Sequence, residues 1–132
     1  MSWDILIQDL PKTAKTVDEI PDHFEPKSIG KRDDIIKKII DFEPNVDFSD
    51  PTWGVLEANS FSIEFNIGKE SDCHSIMLHV RGAADAPKFI SGLLNELGIR
   101  AVDCGSGDFF EENESKKSFE EWKAFRDRVF AK

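Results

Sequence analysis

Phe61-Ser62-Ile63-Glu64-Phe65-Asn66-Ile67 alternates apolar and polar residues without a break. After a short loop, His74 to Arg81 does the same, with Ile76, Leu78 and Val80 in one phase and Ser75, Met77, His79 and Arg81 in the other. A period of two is the pattern of a strand buried on one face, so these segments present one apolar and one polar surface. Trp53 to Ala58 is a third strand candidate, joined to the first by the tight-turn pair Asn59-Ser60, while Gly68 to Cys73 makes a longer hairpin loop. The three predict an antiparallel meander whose apolar face needs a cover.

The cover comes from segments of helical period. Within Lys31–Phe42, Ile35, Ile36, Ile39 and Ile40 form one stripe, with Asp33 and Asp34 in the first turns where the helix dipole favours acids. Within Asp85–Leu97 the stripe is Phe89, Ile90, Leu93, Leu94 and Leu97, with Pro87 in the first turn and Gly98 placed to end it. Ser118 and Glu121 form a capping-box pattern that opens a third helix, Ser118–Phe130, carrying Trp122 on its inner face. Trp3 to Gln8 and Ile99 to Cys104 read as two further strands, and residues 11–29, with three prolines, as a long surface connection. The expectation is a single α+β domain over residues 1–132. It is a two-layer sandwich, with a mainly antiparallel sheet of about five strands and helices on one face. The expected core includes Ile36, Phe61, Leu78, Leu94, Val102 and Trp122. The strands flanking Asp85–Leu97 should run parallel if they share the sheet.

Composition narrows the class. The 132 residues are 39% hydrophobic and 33% charged, and 17 basic residues against 26 acidic ones give −9. This is a globular composition of single-domain size. No apolar run approaches the ~18–20 residues of a membrane span, and Met1 to Leu10 has no basic n-region. An acidic chain repels phosphate backbones, which disfavours nucleic acid as a partner. The acids are also blocked. Asp41, Glu43, Asp47, Asp50, Glu57 and Glu64 lie between Lys38 and Lys69 with no base among them. Asp103, Asp108, Glu111, Glu112 and Glu114 do the same between Arg100 and Lys116. Such runs are ordinarily solvated surface; if folding joins them, they become a face that steers a cationic partner. Asp47, Asp50, Asp108 and Glu111 are the candidate carboxylates, and Phe109 and Phe110 either tuck under their loop as a satellite cluster, the favoured reading, or serve as the candidate apolar anchor.

Catalytic and metal chemistry has thin support. Cys73 and Cys104 show neither paired zinc-ligand spacing nor a disulfide framework, and no cofactor motif or metal site is expected. Gly105-Ser106-Gly107 lacks the lysine of a phosphate loop and sits beside acids, so it reads as a turn. Cys104 itself reads as a buried, inert thiol. On the polar sheet face, Glu64 should fall near Met77 with His79 diagonal to it and Arg81 alongside. A carboxylate near an imidazole can serve acid–base catalysis, although a solvated face with cross-strand charge pairs has the same composition.

Trp3-Asp4-Ile5-Leu6-Ile7-Gln8-Asp9-Leu10-Pro11, Trp53-Gly54-Val55 and Met77-Leu78-His79-Val80-Arg81-Gly82 together resemble a family of small single-domain bacterial proteins. The resemblance implies a stand-alone bacterial cytoplasmic domain and assigns no role to any residue. Small size, acidity and α+β class are also similar in kind to bacterial immunity proteins. The expected function is a non-catalytic acidic module that neutralises or docks a basic protein. The alternative is a small hydrolase or isomerase using His79, Glu64 and Arg81. The sequence does not fix an oligomeric state.

Overall fold

The computed structural model describes residues 2–82 and 85–111. Its elements are β1 (Trp3–Gln8), a 3-10 turn (Val17–Glu19), β2 (Gly30–Lys31), α1 (Arg32–Phe42), β3 (Asp47–Asp50), β4 (Trp53–Glu57), β5 (Phe61–Asn66), β6 (Asp72–Cys73), β7 (Ser75–Gly82), α2 (Ala86–Leu97), β8 (Arg100–Asp103) and β9 (Asp108–Phe109). Seven strands form one sheet in the order β3-β4-β5-β7-β1-β8-β9, and β2 pairs with β6 in a separate ribbon. Every adjacent pair is antiparallel. The class is α+β as expected, with a larger sheet. Because β1 lies antiparallel between β7 and β8, those two strands run parallel to each other.

The apolar phase of each strand builds the core. Trp3, Ile5, Ile7, Ile63, Phe65, Ile76, Leu78 and Val80 join Ile35 and Ile39 of α1 and Ile90 and Leu93 of α2 in one buried cluster. Ile36, Phe61 and Leu94 are half-buried at its margin rather than central. Val102 belongs elsewhere. Its register partner is Leu6, so it faces away from the helices and packs with Leu10, Ala14, Val17, Ile20 and Phe109. The start of the long connection therefore covers the β8–β9 end of the second sheet face. Arg100 fastens it there: Nη1 donates to the carbonyls of Pro11 (2.6 Å) and Ala14 (2.8 Å), and the guanidinium lies 3.5 Å from the Phe109 ring centre. The expected helix Ser118–Phe130, with Trp122, lies outside the described residues.

The two extra edge strands arise from packing that a period rule does not detect. Phe48 folds from β3 across Gly54 of β4, where a Cβ would stand 2.6 Å from its ring, and approaches Phe65 at 6.1 Å between ring centres. At the opposite edge, consecutive aromatics turn to opposite faces. Phe109 enters the second cluster, and Phe110 packs near Trp3, 6.3 Å between ring centres. Trp3 donates its indole N–H to the buried Asp103 carboxylate at 2.9 Å, which also accepts the Gly105 N–H at 2.8 Å.

Leu78 is fully buried in the central strand β7. Leu78→Ala should lower unfolding free energy by about 2–5 kcal/mol, measured by chemical denaturation. Gly82 and Gly98 both have positive φ, at +118° and +66°. A Cβ at Gly82 would lie 2.5 Å from the Phe61 backbone, whereas at Gly98 it meets nothing within 4 Å. Gly82→Ala should therefore destabilise markedly more than Gly98→Ala in the same assay.

Candidate partner-binding face

The helices cover one sheet face and residues 9–20 cover one end of the other. Among the described residues, no element covers the second face from β3 to β7. The phase of β4 decides what stands there. Gly54 and Leu56 are buried, so Trp53, Val55 and Glu57 project the other way. Asp50 is the cross-strand partner of Trp53 and Asp47 of Val55, with a register irregularity between them. On the other flank, Glu64 is the partner of Val55 and Asn66 of Trp53. Two half-buried apolar residues thus sit between acidic side chains of both neighbouring strands.

Local hydrogen bonds hold the β3 acids ionised. Asp47 Oδ1 accepts from the Ser49 hydroxyl and, at 2.7 Å, from the Ser49 N–H. Asp50 Oδ1 accepts from the Thr52 hydroxyl at 2.7 Å and the Thr52 N–H at 2.9 Å. These donors favour the charged form, so both carboxyls titrate below the ordinary Asp range, the hydroxyl bond being the largest cause in each. Lys69 and Arg32 add a smaller Coulombic contribution at Asp50.

The neighbouring polar array differs from the expected register. Glu64 lies directly opposite His79, and Asn66 opposite Met77. The shift arises because the 67–74 connection is not a simple loop: it contains β6, which pairs with β2. His79 nevertheless takes Asp4 as its partner, Nδ1 to Oδ1 at 2.9 Å, and Glu64 takes Arg81 at 3.2 Å. The same Asp4 oxygen accepts from Ser2 Oγ at 2.6 Å. Trp53 stacks on His79 with ring centres 5.7 Å apart and planes 20° apart.

This arrangement orients an imidazole but does not aim it at a nucleophile. Cys104 lies beyond Asp4 on the side away from His79, its N–H donating to the Asp4 carbonyl at 3.0 Å. It is exposed rather than buried, and Cys73 is the buried thiol. Partial burial first, then the Asp4 and Asp103 carboxylates, push the Cys104 thiol up, away from the nucleophilic thiolate. A hollow of about 320 Å³ does exist, lined by Lys12, Leu94, Ile99 and Phe110 among others, and none of its lining residues is His79, Glu64 or Arg81.

The two acidic stretches are not brought together. β3 and β9 are the opposite edges of the sheet, six strand spacings or about 29 Å apart at ~4.8 Å each. The groups at the far edge also have internal tasks. Asp108 Oδ1 accepts the N–H groups of Val17 (3.1 Å) and Phe109 (2.8 Å), Phe109 is 6% exposed, and Phe110 packs on the core. Glu111 is exposed beside them. Neither phenylalanine can act as an exposed anchor in this arrangement. Trp53 and Val55, which the sequence reading took as strand residues and not as an anchor, occupy that place beside the first stretch. The alternation of Gly54 and Leu56 against them was the available clue.

Among the described residues, no group of three or more His, Cys, Asp and Glu is placed to hold a metal ion, and no helix is long and apolar enough to cross a membrane. Comparison of the chain with protein-family models, curated proteins and solved structures finds no match. The patterns at Trp3–Pro11, Trp53–Val55 and Met77–Gly82 therefore bring no family assignment with them.

The hydrogen bonds to Asp47 and Asp50 have a measurable consequence. Carboxyl-detected NMR titration should place both below the ordinary ~3.9. Ser49→Ala should move Asp47 upward and leave Asp50 in place, and Thr52→Ala should do the reverse. Because the folded-state values are depressed, the stabilisation they contribute is present above the unfolded value and is lost as pH falls through the folded one.

Proposed function

We propose that this protein is a non-catalytic binding module that docks a basic protein through the outer face of the β3–β5 end of its sheet. The setting would be the bacterial cytoplasm, and the action immunity-like: masking a cationic protein. One observation supports this reading most: Trp53 and Val55 project between Asp47 and Asp50 on one side and Glu64 on the other. Protein interfaces concentrate their energy in a small desolvated aromatic centre, surrounded by polar groups that exclude water and set orientation. Exposed carboxylates individually contribute little, about 0–1 kcal/mol. Their part is to speed encounter, and the apolar centre's part is to slow release. The far acidic edge at Asp108 and Glu111 contributes only to overall charge in this reading.

A second reading, a small hydrolase or isomerase, draws support from the Asp4–His79 contact, since an Asp-oriented imidazole is a usual acid–base unit. It is the weaker of the two. Arg81, not His79, engages Glu64, and Trp53 is stacked against the imidazole where a substrate would need room.

The docking reading is tested by capture from the native cytoplasm with full-length protein and with the Asp47→Asn/Asp50→Asn/Glu57→Gln variant. These three side chains are exposed, so the variant should fold normally. The wild type should retain a basic protein whose association slows as salt rises, because screening shortens from ~10 Å at 0.1 M to ~3 Å at 1 M. The variant should associate more slowly with a flatter salt response. Equal capture by both proteins, or a bound protein of acidic character, would falsify the proposal.

A further inference from the structure

We propose that the partner presents an arginine side chain that stacks on Trp53 and forks to the neighbouring carboxylates. This rests on the docking reading above and names the chemistry of its partner. The centre of the patch is an indole, the aromatic ring with the strongest attraction for a cation over its face. His79 already holds that ring, stacked at 5.7 Å and itself fixed by Asp4 at 2.9 Å, so the platform is oriented before a partner arrives. Asp50, the cross-strand partner of Trp53, is likewise fixed by two bonds from Thr52. Fixed acceptors beside a flat ring fit a planar guanidinium, which stacks and donates in its own plane. An ammonium is compact and strongly hydrated, and gains less from such a site.

The same chain uses arginine in two related ways, only the second of them with an aromatic ring. Arg81 reaches Glu64 at 3.2 Å on this face, and Arg100 lies 3.5 Å over the Phe109 ring while donating to carbonyls. The second case is a guanidinium sandwiched between an aromatic face and oxygen acceptors, which is the arrangement proposed for the partner's arginine at Trp53. Charge complementarity selects the class of partner: the patch carries Asp47, Asp50, Glu57 and Glu64 with Arg81 as the base paired within it.

The test uses blocked hexa-arginine and hexa-lysine peptides as probes, titrated calorimetrically into the full-length protein at low and physiological ionic strength. Hexa-arginine should bind about two- to fivefold more tightly, the contribution of an exposed cation–π contact. Trp53→Leu should bring the ratio to one while both peptides still bind, and Trp53→Phe should leave an intermediate ratio. Circular dichroism checks the fold of each, and the milder phenylalanine variant decides if the leucine variant unfolds. Equal binding of the two peptides to the wild type overturns the arginine inference and leaves acidic docking standing. So does an arginine preference that Trp53→Leu and Trp53→Phe both leave unchanged. If the Asp47→Asn/Asp50→Asn/Glu57→Gln variant binds both peptides as well as the wild type, the docking reading itself is overturned.

Discussion

β1 is the strand on which the sheet depends. It alone joins the meander β3-β4-β5-β7 to the β8–β9 hairpin, pairing with Ser75–Val80 along one edge and Arg100–Asp103 along the other. Its inner residues Trp3, Ile5 and Ile7 are almost wholly buried, and its outer residues Asp4, Leu6 and Gln8 fix the phase of the opposite face. A one-residue slip of a strand exchanges its two faces, so the burial of Ile5 and Ile7 also determines that Asp4 meets His79. The Trp3 indole adds a directional lock by donating to Asp103 of β8, a contact one hundred residues away in sequence. Closing such a loop costs entropy before the contacts repay it.

The unequal cover of the two faces follows from the same order. Both helices lie on the face that holds Ile5, Phe65 and Leu78. On the other face the described residues place the connection after β1, held over Val102 and Phe109 by the Arg100 guanidinium. Among the described residues the cover ends near β1, and from there to β3 no described element lies over the side chains of that face. On this face Arg81 pairs with Glu64, and the His79 ring lies beside Asp4. The acids of β3 pair instead with their own turn donors, which keeps them ionised without neutralising them. The outermost strands therefore carry the excess negative charge.

Much of this was legible in the sequence, and the parts that were not share a cause. β1, β5 and β7 alternate cleanly because each is buried on one side only, and α1 and α2 show a helical stripe for the same reason. β3 and β9 do not alternate over a useful length. Phe48-Ser49-Asp50-Pro51 reads as turn chemistry, yet Asp47–Asp50 forms a strand, with Phe48 packed on the surface left bare by Gly54. The acid stretches are visible as composition, but strand order separates them, and order is set by long-range pairing with no local trace. Phe109 and Phe110 read as loop aromatics, either tucked under the loop or forming an exposed anchor; they are tucked, but divided between two clusters, because adjacent strand residues point opposite ways. The Asp4–His79 contact was missed because it joins strands seventy-five residues apart through β1's position beside β7.

The exposed edge at β3 raises the question of whether recognition would use its backbone or its side chains. An edge strand can accept a further strand through its unpaired N–H and C=O groups. β3 is ill suited to this. It is four residues long, its register shifts between Asp47 and Asp50, and Pro51 follows directly. The Ser49 N–H is already taken by Asp47, and the Thr52 N–H by Asp50. Short length, irregular register, charge and proline are the means by which sheets prevent edge-to-edge association. The same two aspartates therefore close the edge to strand addition and charge the face beside it. Under the docking proposal a partner would be directed away from the backbone and onto Trp53 and Val55, the place where burial of apolar surface can make a contact last.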